Sequence, residues 1–153
     1  MSTYSAWVSN ASISSTTNDI MTLVPAASRR VWLTELAVMG MGTSSAATEV
    51  CAYRVTTAGA TGSGAITGTP WDTYSPAAAS SVYTGWTTQP TVGTALVRLS
   101  VNANGGIYRW VARPGQELQA IGGLATNMEI SIRTAVSGGG NYTVGITWIE
   151  DPI

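Results

Sequence analysis

Between Thr94 and Ile121 the chain reads TALVRLSVNANGGIYRWVARPGQELQAI, and the spacing of its apolar residues leaves little choice of secondary structure. Ala95, Val97, Leu99 and Val101 alternate with Thr94, Arg98 and Ser100, the period of a half-buried strand. Asn102 to Gly106 is Asn-Ala-Asn-Gly-Gly, rich in the residues that accept positive φ in tight turns. Ile107 to Ala112 predicts a second strand. Arg113-Pro114-Gly115-Gln116 predicts a turn, with Pro fixing φ at its first central position and Gly suiting the next. Glu117 to Ile121 then gives a third strand and completes a meander. Such a meander needs a second layer to cover its apolar face.

A second layer is within reach, because 153 residues make one domain able to bury roughly 70% of its unfolded surface. Hydrophobic residues are 44% of the chain and charged residues 10%, against a usual charged share of about 25%. That balance is the reverse of a disordered chain. An exterior built from Thr, Ser, Gly, Asn and Ala carries little charge to keep copies apart, so much of it is expected to be covered by partners.

All seven basic residues are Arg, and with eight acids the net charge is −1. Apart from Arg29-Arg30 they are scattered, whereas phosphate binding needs clustered cations, so no nucleic acid is expected. Arg without Lys suits fixed pairing with carboxylates and carbonyls. His is absent, which removes Ser/His/Asp and Cys/His catalysis and the commonest metal ligand. Cys51 is the one thiol and, sharing a face with Tyr53 and Val55, reads as a buried structural residue. No cofactor or metal is expected. The start, MSTYSAWVSN, does not read as a secretory signal, and no run reaches the ~20 apolar residues of a membrane helix. Asn10-Ala11-Ser12 and Asn141-Tyr142-Thr143 match the glycosylation sequon only as short motifs.

Residues 1–18 read as a polar N-terminal arm in which Tyr4, Trp7 and Ile13 are too sparse for an ordinary core strand. The domain follows over 19–153, beginning with a short strand from Asp19 to Val24 that Pro25 stops. In Arg30 to Met39, Val31, Leu33, Ala37 and Met39 fall on one face, with Trp32, Leu36 and Val38 on the other. Glu49 to Thr56 returns as a strand. Residues 57–93 show no sustained alternation and predict one long loop carrying Trp71, Tyr74, Tyr83 and Trp86, whose rings either cap the ends of the core or form a binding surface for protein or sugar. Asn127 to Thr134 predicts a strand with Met128, Ile130 and Ile132 inward and Glu129, Ser131 and Arg133 outward. Gly138 to Asn141 is a loop without the residues of a phosphate cradle. In the last strand Tyr142, Val144, Ile146 and Trp148 face inward, and Pro152 ends it. About eight short strands without a helix predict an all-β antiparallel sandwich, jelly-roll-like, with an immunoglobulin-like topology as the competitor.

The segments Arg30-Val31-Trp32-Leu33-Thr34-Glu35-Leu36, Arg54-Val55-Thr56-Thr57-Ala58-Gly59, Gly68-Thr69-Pro70, Thr84-Gly85-Trp86, Gln89-Pro90, Gly93-Thr94-Ala95-Leu96, Trp110 through Glu117 and Tyr142 through Trp148 resemble, by their spacing, small virion proteins of tailed bacteriophages. The resemblance runs from about Arg29 onward and is to head decoration, or cement, proteins with jelly-roll-like folds. It implies a non-enzymatic protein on the capsid exterior, made in the host cytoplasm, commonly trimeric, and bound to the major capsid protein. In that reading Tyr4, Trp7, Ile13, Trp71, Tyr74, Tyr83 and Trp86 contact other subunits. An alternative is a carbohydrate-binding or tail-associated receptor-binding protein, with Trp71, Tyr74 and Trp86 stacking on sugars. A third reading, a glycosidase, would draw on Glu35, Glu49, Asp72, Glu117, Glu129, Glu150 and Asp151, none of which forms a recognisable pair in sequence. There Glu129 reads as a solvated partner of Arg133, and Glu150-Asp151 as a charged terminus.

Overall fold

The computed structural model describes residues 1–13, 15–123 and 129–152. In chain order the strands are β1 (Ser2–Ser12), β2 (Met21–Val24), β3 (Arg29–Gly40), β4 (Ala47–Thr57), β5 (Ala60–Ser63), β6 (Ile66–Thr67), β7 (Thr69–Pro70), β8 (Ser81–Tyr83), β9 (Gly85–Thr88), β10 (Thr91–Asn102), β11 (Ile107–Val111), β12 (Leu118–Ile121), β13 (Ile130–Val136) and β14 (Asn141–Pro152). One sheet runs β11-β3-β14-β1-β7, with β12 also paired to β3; the other runs β10-β4-β13-β2-β8-β6, and β5 pairs with β9 as a separate ribbon. Every pairing is antiparallel. The protein is all-β, consistent with a two-layer sandwich. Outside the excursion of residues 57–93, the chain alternates between the sheets from β1 through β4 and again from β12 through β14, while β4 and β10 are neighbours in one sheet and β11 and β12 both lie in the other.

The core lies between the sheets. The inward face of β14 supplies Tyr142, Val144, Ile146 and Trp148, all fully or nearly fully buried, as their alternation requires. They meet Val50, Ala52, Ile130 and Ile132 of the other sheet within one cluster, and burial of each large side chain contributes roughly 1.5–3 kcal/mol. The turn at Arg113 forms as its residues dictate: Gln116 N–H donates to the Arg113 carbonyl at 2.9 Å, and Gly115 takes φ 82°, a value that disfavours a side chain.

Residues 1–18 do not form an arm. β1 lies inside its sheet, paired with β14 from Ser2 opposite Glu150 to Ser12 opposite Asn141. Its apolar period is hidden because Ala6 is small, the other face mixes half-buried Thr3 and Ser5 with Trp7, and the register shifts between Val8 and Ala11, where Asn10 has φ 54°. Such a bulge breaks a period of two.

A second irregularity corrects the faces of β3. Glu35 opposes Thr147 but Leu33 opposes Trp148, so Thr34 is the extra residue. Val31, Leu33, Leu36 and Val38 therefore all join the core, whereas Ala37 lies outside that cluster. The expected meander is also replaced. β10 pairs with β4, while β11 and β12 both pair with β3 in the opposite sheet; the Asn-Gly turn marked a reversal but not the partner.

Residues 57–93 are not a single loop, since they contain β5 to β9. Segments of two to four residues are too short to display alternation, which explains the missed signal. The excursion extends both sheets, β7 lying beside β1, and β8 and β6 beyond β2. Val82 enters the core, and Ile66 and Ala78 pack against it.

In β13, Ile130 and Ile132 face the core as expected. Ser131 and Arg133 point away from it yet are buried, and so is Glu129. Their expected exposure fails because the β5–β9 ribbon covers that face. Asn127 and Met128 lie outside the described residues.

Candidate functional site

The seven sequence-predicted contact residues divide into three groups. Tyr4 and Ile13 are each 2% exposed and belong to the core. The Tyr4 ring lies 5.8 Å from that of Trp148, and its hydroxyl donates to the Pro76 carbonyl at 3.1 Å. Ile13 N–H donates to the Gly140 carbonyl at 3.1 Å. Neither side chain is available to another subunit.

Tyr83 and Trp86 are half-buried and stack obliquely, with centroids 5.3 Å apart. Trp86 Nε1 donates to Thr22 Oγ1 at 2.9 Å, and its ring closes over Gly59. These rings hold the ribbon to the sheet.

Trp7, Trp71 and Tyr74 remain, 44%, 68% and 95% exposed. The last two sit on one turn. Asp72 Oδ1 accepts from Tyr74 N–H at 2.9 Å, and the Asp72 carbonyl accepts from Ser75 N–H at 3.0 Å, an arrangement for which the Asp side chain is suited. The turn is fastened at both ends: Trp71 N–H donates to the Thr3 carbonyl at 2.9 Å, and Pro76 accepts from Tyr4 as above. Because Thr69 opposes Ser5, alternation puts Trp71 opposite Thr3, on the same sheet face as Trp7. Trp7 lies over Gly145, where a Cβ would come within 2.2 Å of its ring. One ring face is thus seated on backbone.

Beneath the ribbon lies a polar network that turns on Asp19, a residue outside the carboxylates weighed from sequence. Asp19 Oδ1 accepts from Ser131 Oγ at 2.6 Å and from Arg133 Nε at 2.7 Å, while Oδ2 accepts from Thr22 Oγ1. Arg133 Nη2 also donates to the Pro90 carbonyl at 3.0 Å, and Asp19 N–H donates to Gln89 Oε1 at 3.1 Å. Burial pushes the Asp19 carboxyl above its usual value, and donation from Ser131, Thr22 and Arg133 pulls against it. The local sequence signal was an Asp opening a short strand, while its Arg partner lies 114 residues away.

Glu150 is a buried anchor and not a charged terminus. Its Oε1 accepts from Ser80 N–H and Trp148 Nε1, each at 3.0 Å, and its Oε2 from Ala79 N–H at 3.1 Å. Glu35 pairs with Arg109 at 2.7 Å and Glu49 with Arg98. The Cys51 thiol is buried, and desolvation followed by the Glu49 hydrogen bond pushes it up to about 11.

Glu129 has no such partners. Burial raises its carboxyl to about 7, with a backbone hydrogen bond from Gly59 opposing the shift and the Asp19 charge adding to it. Its Oε2 has no hydrogen-bond partner among the described residues. Among the described residues no three His, Cys, Asp or Glu side chains converge on one point.

No protein-family model, curated protein or solved structure matches the chain.

Proposed function

We propose that the chain is a virion structural protein: a decoration, or cement, protein that binds the outside of a tailed-bacteriophage capsid and stabilises contacts between major capsid subunits. The observation that carries this reading is the 71–76 turn. It presents Trp71 and Tyr74 to solvent on backbone already fastened at Thr3 and Pro76. Large rings on a pre-ordered turn lose little freedom when a partner covers them. The jelly-roll form of the sandwich is supported by repeated crossing between layers, from β1 through β4 and from β12 through β14. The 10% charged share favours a surface completed by neighbours, and a trimer follows from the resemblance.

Capsids lacking the protein, titrated with wild type and with the double variant Trp71→Ala/Tyr74→Ala, test the proposal. Occupancy by the variant is expected to fall at least tenfold; equal occupancy overturns the role of the turn. The carbohydrate reading has lost Trp86 to its Thr22 hydrogen bond but keeps Trp71 and Tyr74. Glycan-array binding abolished in the same variant would favour that reading instead.

A further inference from the structure

The β5–β9 ribbon is attached differently from the rest of the excursion. Residues 66–82 are anchored by apolar burial at Val82 and Ile66. The ribbon's own strands are mostly exposed: Ala60, Thr61, Ser63, Thr87 and Thr88 all face solvent. What fastens the ribbon to the sheet beneath is chiefly polar. On one leg Gly59 N–H meets the Glu129 side chain. On the other, Trp86 meets Thr22, Gln89 meets Asp19, and the Pro90 carbonyl meets Arg133. A segment with few buried apolar contacts opens at low free energy relative to the core.

One member of this circuit is mismatched to its surroundings. Asp19 has Arg133 and two hydroxyls, whereas among the described residues Glu129 has a single backbone donor, an unpartnered Oε2 and no cation. The charged group facing it is Asp19, an acid; Arg133 beyond is committed to Asp19 and Pro90. The covering ribbon, residues 58–63 and 84–90, contains no ionisable side chain. The preceding residues 124–128 are Leu, Ala, Thr, Asn and Met, none of them ionisable.

We propose that the β5–β9 ribbon is a strap whose catch is Glu129: it lies closed over the sheet while this carboxyl is protonated and lifts when the carboxyl ionises and takes up water. The inference stands on the buried circuit and is independent of what the 71–76 turn binds. The direction follows from linkage. Closed, burial pushes the carboxyl up to about 7; open, it returns toward the ordinary glutamate value of 4.5. The closed form therefore holds its proton more tightly and is favoured at low pH, and its advantage is lost as pH rises from 4.5 toward 7. For those two values the opening equilibrium increases roughly tenfold between pH 6 and pH 8.

Amide hydrogen exchange, corrected for intrinsic rates, tests this at Gly62 and Trp86, which pair across the ribbon, with Leu36 and Val38 as core controls. Wild-type protection at Gly62 and Trp86 is expected to fall about tenfold from pH 6 to pH 8, more than at the controls. Glu129→Gln, which cannot ionise, is expected to remove that step. Equal ribbon protection at the two pH values in wild type overturns the proposal, whether or not the variant folds. A step that survives in Glu129→Gln also overturns it and assigns the titration to Asp19.

Discussion

Replacing Asp19 by Ala tests the largest energetic claim made for this fold. The substitution leaves the Arg133 guanidinium buried with no carboxylate and only the Pro90 carbonyl and Ser131 Oγ as partners among its present contacts, and takes the acceptor from Ser131 and Thr22. Breaking a buried ion pair by removing one member costs about 3–5 kcal/mol, because the survivor stays charged in a poorly solvating site. Arg133 cannot escape by deprotonation. For a chain of 153 residues, where 1 kcal/mol corresponds to about 2–4 °C, Tm is expected to fall by roughly 8–15 °C. Circular dichroism melts at pH 7 measure the shift. Asp19→Ala/Arg133→Met should recover part of the loss, since an apolar side chain of similar length removes the stranded charge. A drop below about 3 °C for Asp19→Ala, or a double variant no better than the single, would refute the assignment of Asp19 as hub. Glu49→Ala offers a contrast: its partner Arg98 is largely exposed, and such pairs contribute little to stability, so its melt should nearly overlay wild type.

Gly145→Val should destabilise by about 1–3 kcal/mol through overpacking, because a Cβ there meets the Trp7 ring at 2.2 Å; urea unfolding measures the change, and pairing it with Trp7→Ala should relieve it. Trp71→Ala/Tyr74→Ala should leave the melting temperature within about 1–2 °C of wild type, as expected for exposed side chains outside the core, so any lost binding reports contact and not unfolding. The Cys51 thiol, buried and pushed up to about 11, should label with a thiol reagent at pH 8 many times more slowly in folded than in urea-unfolded protein, since thiolate is the reacting form.

The long strands were legible because their neighbours in sequence carry their period. Tyr142 to Trp148 shows every inward residue in one view. Faces were lost where one inserted residue shifts the register, as at Thr34 in β3 and near Asn10 in β1. Pairing partners were not legible: the Asn-Gly turn after Asn102 states that the chain reverses, and only the packed layers decide that β11 joins β3. Trp71 and Tyr74 of the 57–93 segment are exposed. Tyr83 and Trp86, drawn from the same segment, are half-covered because Gly62 and Gly59 leave room beneath their rings. Asp19 escaped notice because its chemistry depends on Ser131 and Arg133, which become its neighbours only after both sheets form.

The placement of β1 between β14 and β7 bears on how the molecule is made. During synthesis β1 leaves the ribosome long before β14 exists, and the interior position between them stays open until then. Pairings between distant parts of a chain close slowly, and an unpaired strand carrying Tyr4, Ala6 and Val8 is a target for other nascent copies. Maturation is thus tied to the synthesis of β14, and chains stalled before Asn141 should accumulate as aggregates or chaperone clients.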